Sequence, residues 1–240
     1  MGLVPMRAEP GHGEELVSQL LFGEHYEVMS NKRKWYLIKL ASDRSMGWIH
    51  MNHHTTISDE YYQQIGLCDY KICTDISGTI YFQKKHVHIL MGSILPIASN
   101  ELFRMEEQVA FTGESKPLSQ KKNADHVISI AELFRHAPYL PGGRTVFGVD
   151  QGGFLQQVFK QSGYQISRTL SEIAIDGQAV SVEEIKIADI VLAGEKKNQV
   201  GLLYMGGKQY LGVIEGQVRK IENPTFNQSA MIVRRMLREV

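Results

Sequence analysis

Cysteine is almost missing from this chain: its 240 residues hold 2, Cys68 and Cys73, separated by four positions. Two cysteines exclude a disulfide-stapled scaffold and a four-thiolate zinc centre, so both read as small, semi-buried strand residues with no redox role. Excess charge of either sign is missing too. Lys plus Arg number 26 and Asp plus Glu 26, so no global field draws the chain to nucleic acid or to an anionic membrane. No apolar run approaches the roughly 20 residues that cross a bilayer. The first residues show no charged segment followed by an apolar stretch and a small-residue cleavage site. The expected location is therefore cytoplasmic, with a periplasmic or secreted one as the alternative if a signal has been removed.

What is present is an ordinary apolar and charged balance, 43% and 22%, on a chain long enough to bury two or three small cores. Alternating apolar residues predict strands near 26–29 and 35–40, closed by Gly47-Trp48-Ile49. Thr56 and Asp59 have capping-box spacing and predict a short helix through Glu60, Tyr61, Tyr62 and Ile65. Short strands are expected over 67–73, 78–82 and 86–90, then a turn at Gly92-Ser93-Ile94-Leu95-Pro96 and a closing strand over 108–111. The polar stretch 113–124 reads as a linker. Beyond it the pattern predicts helices starting near Asp125 and Asp150, then strands containing 187–192, 200–205, 210–214, 218–221 and 231–236. The Gly206-Gly207 pair marks a hairpin. Helices grouped before a run of strands indicate an α+β module.

Residues 137–159 read Ala-Pro-Tyr-Leu-Pro-Gly-Gly-Arg-Thr-Val-Phe-Gly-Val-Asp-Gln-Gly-Gly-Phe-Leu-Gln-Gln-Val-Phe. This segment resembles the active site of the NlpC-type, papain-like cell-wall cysteine peptidases, where the run is Pro-Tyr-Leu-Trp-Gly-Gly-Arg-Thr followed by Gly-Val-Asp-Cys-Ser-Gly-Phe. In that family the Cys is the nucleophile, and a helix N-terminus with a nearby His favours its thiolate. Here the position is Gln151, and an amide forms no thiolate. The surroundings persist: Gly142 and Gly143 permit a tight approach, Asp150 suits an N-cap, and Phe154, Leu155, Val158 and Phe159 share a helical face. Downstream, Ala188-Asp189-Ile190 and Gln199-Val200-Gly201 echo the family's Gly-Asp-Leu and His-Val-Gly. The resemblance therefore puts Gln199 at the general-base position and Gly212 or Val213 at the third polar position. Three departures in one constellation predict a member that does not run the reaction.

The first third carries a second resemblance. Arg7-Ala8-Glu9-Pro10, the Leu20-Leu21-Phe22-Gly23-Glu24 turn and the closing Gly47-Trp48-Ile49 are similar to bacterial SH3-like domains, which often precede NlpC-type domains. The implied fold is two small all-β SH3-like barrels followed by a papain-like α+β domain. Its expected boundaries are 1–56 for the first barrel, 57–66 for a connecting helix, 67–113 for a degenerate second barrel, 114–124 for the linker and 125–240 for the peptidase-like domain.

By that resemblance the groove would receive a peptidoglycan stem peptide or muropeptide, typically cut in the family after D-glutamate. Expected contacts are Tyr139, Arg144, Asp150, Gln151, Arg168 and Gln199, since arginine clamps carboxylates and a carboxylate holds an ammonium. Each charged residue has a structural alternative: Asp150 as a helix cap, Arg144 in a loop salt bridge, Arg168 as a solvated strand charge. Other groove positions also depart from the family, at Pro141, Gly152, Thr169 and Ser45-Met46. The leading expectation is a non-catalytic homologue that binds a cell-wall peptide or regulates a partner. An open cleft exposing Arg144 and Arg168 would fit it. The alternative is a protein-interaction scaffold, in which Leu140, Pro141 and their neighbours would fill the groove. A third reading is a residual hydrolase using Ser162, Ser167, Thr169 or Ser171 with His126 or, better placed, His136.

No cofactor or metal is expected. His50, His53 and His54, and His86 with His88, could suggest a metal site, but no Asp or Cys completes a ligand set. Trp35 and Trp48 are read as packing residues. The run Arg234-Arg235-Met236-Leu237-Arg238 is read as the surface end of a strand.

Overall fold

The computed structural model describes residues 1–82, 84–96, 110–194, 199–222, 224 and 231–237. The chain divides into two compact units, Met1–Gln120 and Lys121–Val240.

The first unit opens with strands β1 (Leu3–Arg7), β2 (Leu16–Leu21), β3 (Tyr26–Lys32), β4 (Trp35–Leu40) and β5 (Met46–His50). They form an antiparallel sheet in the order β2-β1-β5-β4-β3. Alternation sends Val4, Met6, Leu20, Ile38, Leu40 and Ile49 into one core, as a half-buried pleat requires. The glycine of the Gly-Trp-Ile signature has a steric reason: a Cβ at Gly47 would lie 3.1 Å from both the Met6 Cβ and a Val17 methyl. Trp35 is buried and Trp48 half-buried, opposite Leu37 and Arg7.

Helix α1 (Asp59–Leu67) starts two residues later than the spacing suggested. Ser58, not Thr56, caps it, accepting from the Tyr61 N–H. Consequently Leu67 ends a helix instead of opening a strand, and Cys68 is its exposed C-cap. Strands β6 (Lys71–Cys73), β7 (Ser77–Phe82), β8 (Lys85–Leu90), β9 (Ala110–Thr112) and β10 (Ser115–Pro117) follow. Among the described residues, the region expected to be a second barrel is a three-stranded sheet β8-β7-β9 beside a β10-β6 ribbon. Its core joins Phe22, Cys73, Ile80, Ile89 and Leu95. Burial pushes the Cys73 thiol up to about 11. Part of the expected linker is thus a strand, with Lys116 paired to Ile72. The first half of the expected closing strand, Gln108 and Val109, lies outside the described residues.

The second unit begins with α2 (Ala124–Leu133), capped by Asn123. A small hairpin, β11 (Arg144–Thr145) and β12 (Gly148–Val149), precedes α3 (Gln151–Gln161) and a one-turn α4 (Leu170–Ile173). Strands β13 (Gln178–Val180), β14 (Ile190–Ala193), β15 (Val200–Gly206), β16 (Gln209–Ile214), β17 (Gln217–Glu222) and β18 (Ile232–Arg235) form one sheet. Its order is β13-β18-β14-β15-β16-β17, antiparallel throughout. The Gly206-Gly207 turn joins β15 to β16 with both φ angles positive, at 92° and 57°.

Two features of this unit correct the sequence reading. Helix α3 is buried on every side: Phe154, Leu155, Val158 and Phe159 are joined inside by Gln156, Gln157, Lys160 and Gln161. The cause is enclosure, because α3 packs against α2, β11, β15 and β16 at once. Arg235 is not a solvated strand end either. Strand β18 lies inside the sheet, and Arg235 pairs with buried Asp189 through Nε (2.9 Å) and Nη2 (2.7 Å). Arg238, the last of that run, lies outside the described residues.

Candidate functional site

The candidate site forms where α3 begins. The chain from His136 to Tyr139 runs along the edge of β17, with His136 N–H donating to the Val218 carbonyl at 2.9 Å and Tyr139 N–H to that of Gly216 at 2.8 Å. It then folds back through Gly142, whose φ of 74° suits glycine. Gly143 allows the next approach, since a Cβ there would sit 2.4 Å from the Gly148 carbonyl oxygen. These contacts bring Asp150 to the N-terminus of α3.

Asp150 carries four hydrogen bonds. Its Oδ1 accepts from the Gly153 N–H at 2.7 Å, which caps α3, and its Oδ2 from the Gly142 N–H at 2.9 Å. Both oxygens also accept from Arg168, Nη1 to Oδ1 at 2.8 Å and Nη2 to Oδ2 at 2.6 Å. Fork-on-fork geometry of this kind is among the stronger polar contacts. The Arg168 side chain is 6% exposed and that of Asp150 20%. The expectation of a solvated Arg168 therefore fails: it is a buried partner of the cap.

Gln151 is the first residue of α3, and its Oε1 accepts from the Gly201 N–H at 2.8 Å. The side chain at the expected nucleophile position thus ties the helix to β15. Gln199 is half-buried, one residue ahead of β15. Of the two candidates for the third polar position, Val213 is 5% exposed. A Cβ on Gly212 would lie 2.7 Å from the Gly201 carbonyl oxygen, so no imidazole fits there. Gly152, where the peptidase segment has Ser, is equally constrained: a Cβ would be 2.1 Å from the Arg168 carbonyl oxygen. The backbone that presents Arg168 occupies the space a side chain at position 152 would need.

The structure therefore brings together Asp150, Arg168, Gln151 and the start of β15. It does not place the other expected contacts on one open surface. Arg144 is 2% exposed, within the β11–β12 hairpin. Tyr139 is exposed, as are Leu140, Pro141 and Phe147. Leu140, Pro141 and Phe147 therefore face solvent in the segment that leads into α3 instead of filling a groove. The alternative nucleophiles are engaged locally. Ser162 Oγ donates to the Val158 carbonyl at 3.0 Å, Ser167 Oγ to Asp176 at 3.1 Å and Thr169 Oγ1 to Glu172 at 2.6 Å, while Ser171 Oγ meets Thr169 Oγ1 at 3.1 Å. The ring of His126 meets the Gln161 carbonyl at 3.3 Å. His136 is exposed, with a positive φ of 66°.

Comparison with known proteins decides what this site derives from. Residues 136–235 match the NlpC/P60 family, and residues 6–53 match the bacterial dipeptidyl-peptidase SH3 domain. Residues 136–235 are an NlpC/P60 domain. The chain is 26% identical over 224 residues to a gamma-D-glutamyl-L-lysine dipeptidyl-peptidase of Bacillus subtilis (strain 168), covering 80% of this chain and 70% of that protein. An NlpC/P60 family protein from Bacillus cereus ATCC 10987 superimposes with a TM-score of 0.77 at 20% identity, over 93% of this chain and 83% of that one. An NlpC/P60 endopeptidase from Photobacterium damselae subsp. piscicida superimposes with a TM-score of 0.70 at 16% identity, over 91% and 64%. With the two solved structures the likeness is one of fold.

Within the NlpC/P60 domain, two contacts escaped sequence reasoning. The Gln151–Gly201 bond joins residues 50 apart in sequence and the Arg235–Asp189 pair residues 46 apart. Neither separation leaves a local signature. The Asp150–Arg168 pair was partly signalled, because an N-cap carboxylate and an arginine were both singled out, but not their pairing. The three histidines His50, His53 and His54 lie in the other unit. His50 stands 5.9 Å ring to ring from His53 and 5.3 Å from His12, whereas His54 Nδ1 meets the Tyr26 hydroxyl at 3.1 Å. Burial first, then the positive character of His50, His12 and the N-terminus, holds the His53 imidazole below its usual range. No group of three metal-ligating side chains arranged for an ion occurs among the described residues.

Proposed function

We propose that this NlpC/P60 homologue is a binding protein that does not hydrolyse peptide bonds. The observation that carries this reading is the bond from Gly201 N–H to Gln151 Oε1. An amide stands at the helix N-terminus where the reaction needs a thiolate, and it is spent in joining α3 to β15. Gln199 and Val213, at the positions where the resemblance would put imidazoles, offer no general base. Restoring Cys at position 151 alone would leave both of these unchanged.

The ligand class is a peptidoglycan stem peptide, supported by the relative named for γ-D-glutamyl-L-lysine cleavage. Loss of the nucleophile and retention of binding are compatible, because affinity and chemistry draw on different interactions. Recognition would use Tyr139, Gln199 and backbone at the mouth of the site, not Arg144 or Arg168, which are buried. A second reading is favoured by a separate observation: Tyr139, Leu140 and Phe147, all in the segment that leads into α3, are 49%, 37% and 64% exposed. Exposed large apolar side chains of this kind suit a protein partner.

The deciding experiment titrates the purified protein calorimetrically with L-Ala-γ-D-Glu-diaminopimelate and its lysine counterpart, with mass spectrometry after long incubation. Saturable heat with intact peptide is the expected result. Cleaved peptide overturns the non-catalytic reading. Neither heat nor cleavage transfers the function to these exposed apolar residues, and Phe147→Ser with Leu140→Ser would then abolish partner capture.

A further inference from the structure

Strand β3 ends the first sheet: its neighbour is β4, and its other edge carries no strand among the described residues. All six residues from Glu27 to Lys32 are exposed, and they include two apolar side chains, Val28 and Met29, at 43% and 50%. A free edge offers a row of N–H and C=O groups to any chain that can lie beside it.

Natural edges are usually blunted by a bulge or a lysine, and β3 has both. Their arrangement here makes the edge complementary to itself. The register against β4 shifts between Val28 and Ser30, so Met29 is an extra residue. In a regular strand Glu27 and Lys32, five positions apart, would point to opposite faces. The bulge brings them to the same one: Glu27 stands opposite Lys39, Ser30 opposite Leu37 and Lys32 opposite Trp35, which are alternate residues of β4. Val28 and Asn31, opposite Ile38 and Tyr36, share the other face.

A two-fold contact pairs each residue i with j and each j with i. When Met29 faces Ser30 of a second, antiparallel copy, Glu27 falls opposite the second copy's Lys32, and Lys32 opposite its Glu27. Val28 and Asn31 meet in the same way, and every one of these pairs lies on one face. A slip of one residue either way sets Glu27 against Asn31 or Val28 against Lys32, pairs drawn from opposite faces. Opposite charges directly across a strand pair attract, and like charges repel. The Tyr62 hydroxyl donates to Glu27 Oε1 at 3.2 Å, which steadies the carboxylate through one oxygen. We infer that β3 is a homodimer edge, on which a second copy of this chain pairs antiparallel and joins two five-stranded sheets into one. The assignment concerns the first unit and is independent of whether the Gln151 site binds or cleaves peptide.

The test is sedimentation velocity on the full chain, from about 1 µM to about 300 µM, at low and at high salt. The expected result is a monomer–dimer equilibrium that weakens as salt is raised. Lys32→Glu sets like charges across both pairs, and so does Glu27→Lys; each should weaken dimerisation by about tenfold or more. Mixed one to one, the two variants regain opposite charges at both pairs, so a heterodimer should form with an affinity within about threefold of the natural homodimer. Circular dichroism verifies that each variant is folded. A monomer across the whole concentration range overturns the assignment. So does dimerisation that either charge reversal leaves unchanged, or a mixture of the two folded variants that stays monomeric.

Discussion

If the Asp150–Arg168 pair is structural cement and not a ligand clamp, a double-mutant cycle will show it. Asp150→Ala removes an N-cap, which costs about 1 kcal/mol. It also takes the bidentate carboxylate from the Arg168 guanidinium, whose side chain is 6% exposed, and breaking a buried pair costs about 3–5 kcal/mol. The sum, roughly 4–6 kcal/mol, is a large part of the roughly 5–15 kcal/mol that usually holds a domain together. Arg168→Met is milder, at about 2 kcal/mol, because Asp150 keeps the Gly142 and Gly153 donors and some solvent. In the double variant no buried charge is left stranded, so its cost should fall short of the sum by about 2 kcal/mol. Urea unfolding followed by far-ultraviolet circular dichroism measures this, and with a slope of about 2 kcal/mol per molar the Asp150→Ala midpoint should drop by about 2–3 M. Both tryptophans, Trp35 and Trp48, belong to the first unit, so their fluorescence reports that unit separately. Single variants costing under about 0.5 kcal/mol each, with additive effects, would refute the reasoning and return Arg168 to the pool of ligand contacts.

Other outcomes follow from neighbouring contacts. Gly152→Ser, which restores the residue of the peptidase segment, pushes a Cβ toward the Arg168 carbonyl and should destabilise by roughly 3 kcal/mol, read as a lower urea midpoint; a neutral result would mean that the Arg168 segment moves freely. Native-state alkylation with iodoacetamide at pH 8 should modify exposed Cys68 and spare Cys73, which is buried and whose thiol is pushed up to about 11; mass spectrometry of tryptic peptides distinguishes them. The His53 imidazole is lowered in the folded chain, so the unfolded state binds the proton better. Stability of the first unit, followed by tryptophan fluorescence, should therefore be full above about pH 6.5 and decline below it, and His53→Gln should flatten that decline.

Much of this protein was legible because the signals were local. The Asp150 cap, the Gly206-Gly207 hairpin, the strand periods and the Gly-Trp-Ile closure each depend on residues a few positions apart, where backbone preference and side-chain period act directly. Local signals also misled where two caps competed: Thr56 and Ser58 both suit a helix start, and only the path of the chain chose Ser58. Residues 113–124 read as linker because three-residue strands carry almost no periodicity, and β10 exists only because β6 is there to pair with it.

That position 151 carries an amide is read from the sequence alone, and no fold can make an amide into a thiolate. What Gln151 does instead required the tertiary structure, which brings the Gly201 N–H to it across 50 residues. The same holds for Arg168. Its charge was visible in the chain, but whether that charge faced solvent, a ligand or a carboxylate depended on how close the backbone came to α3. Gly152, by having no side chain, lets it come within contact, and burial then selects the partner, because a guanidinium removed from water must be paired.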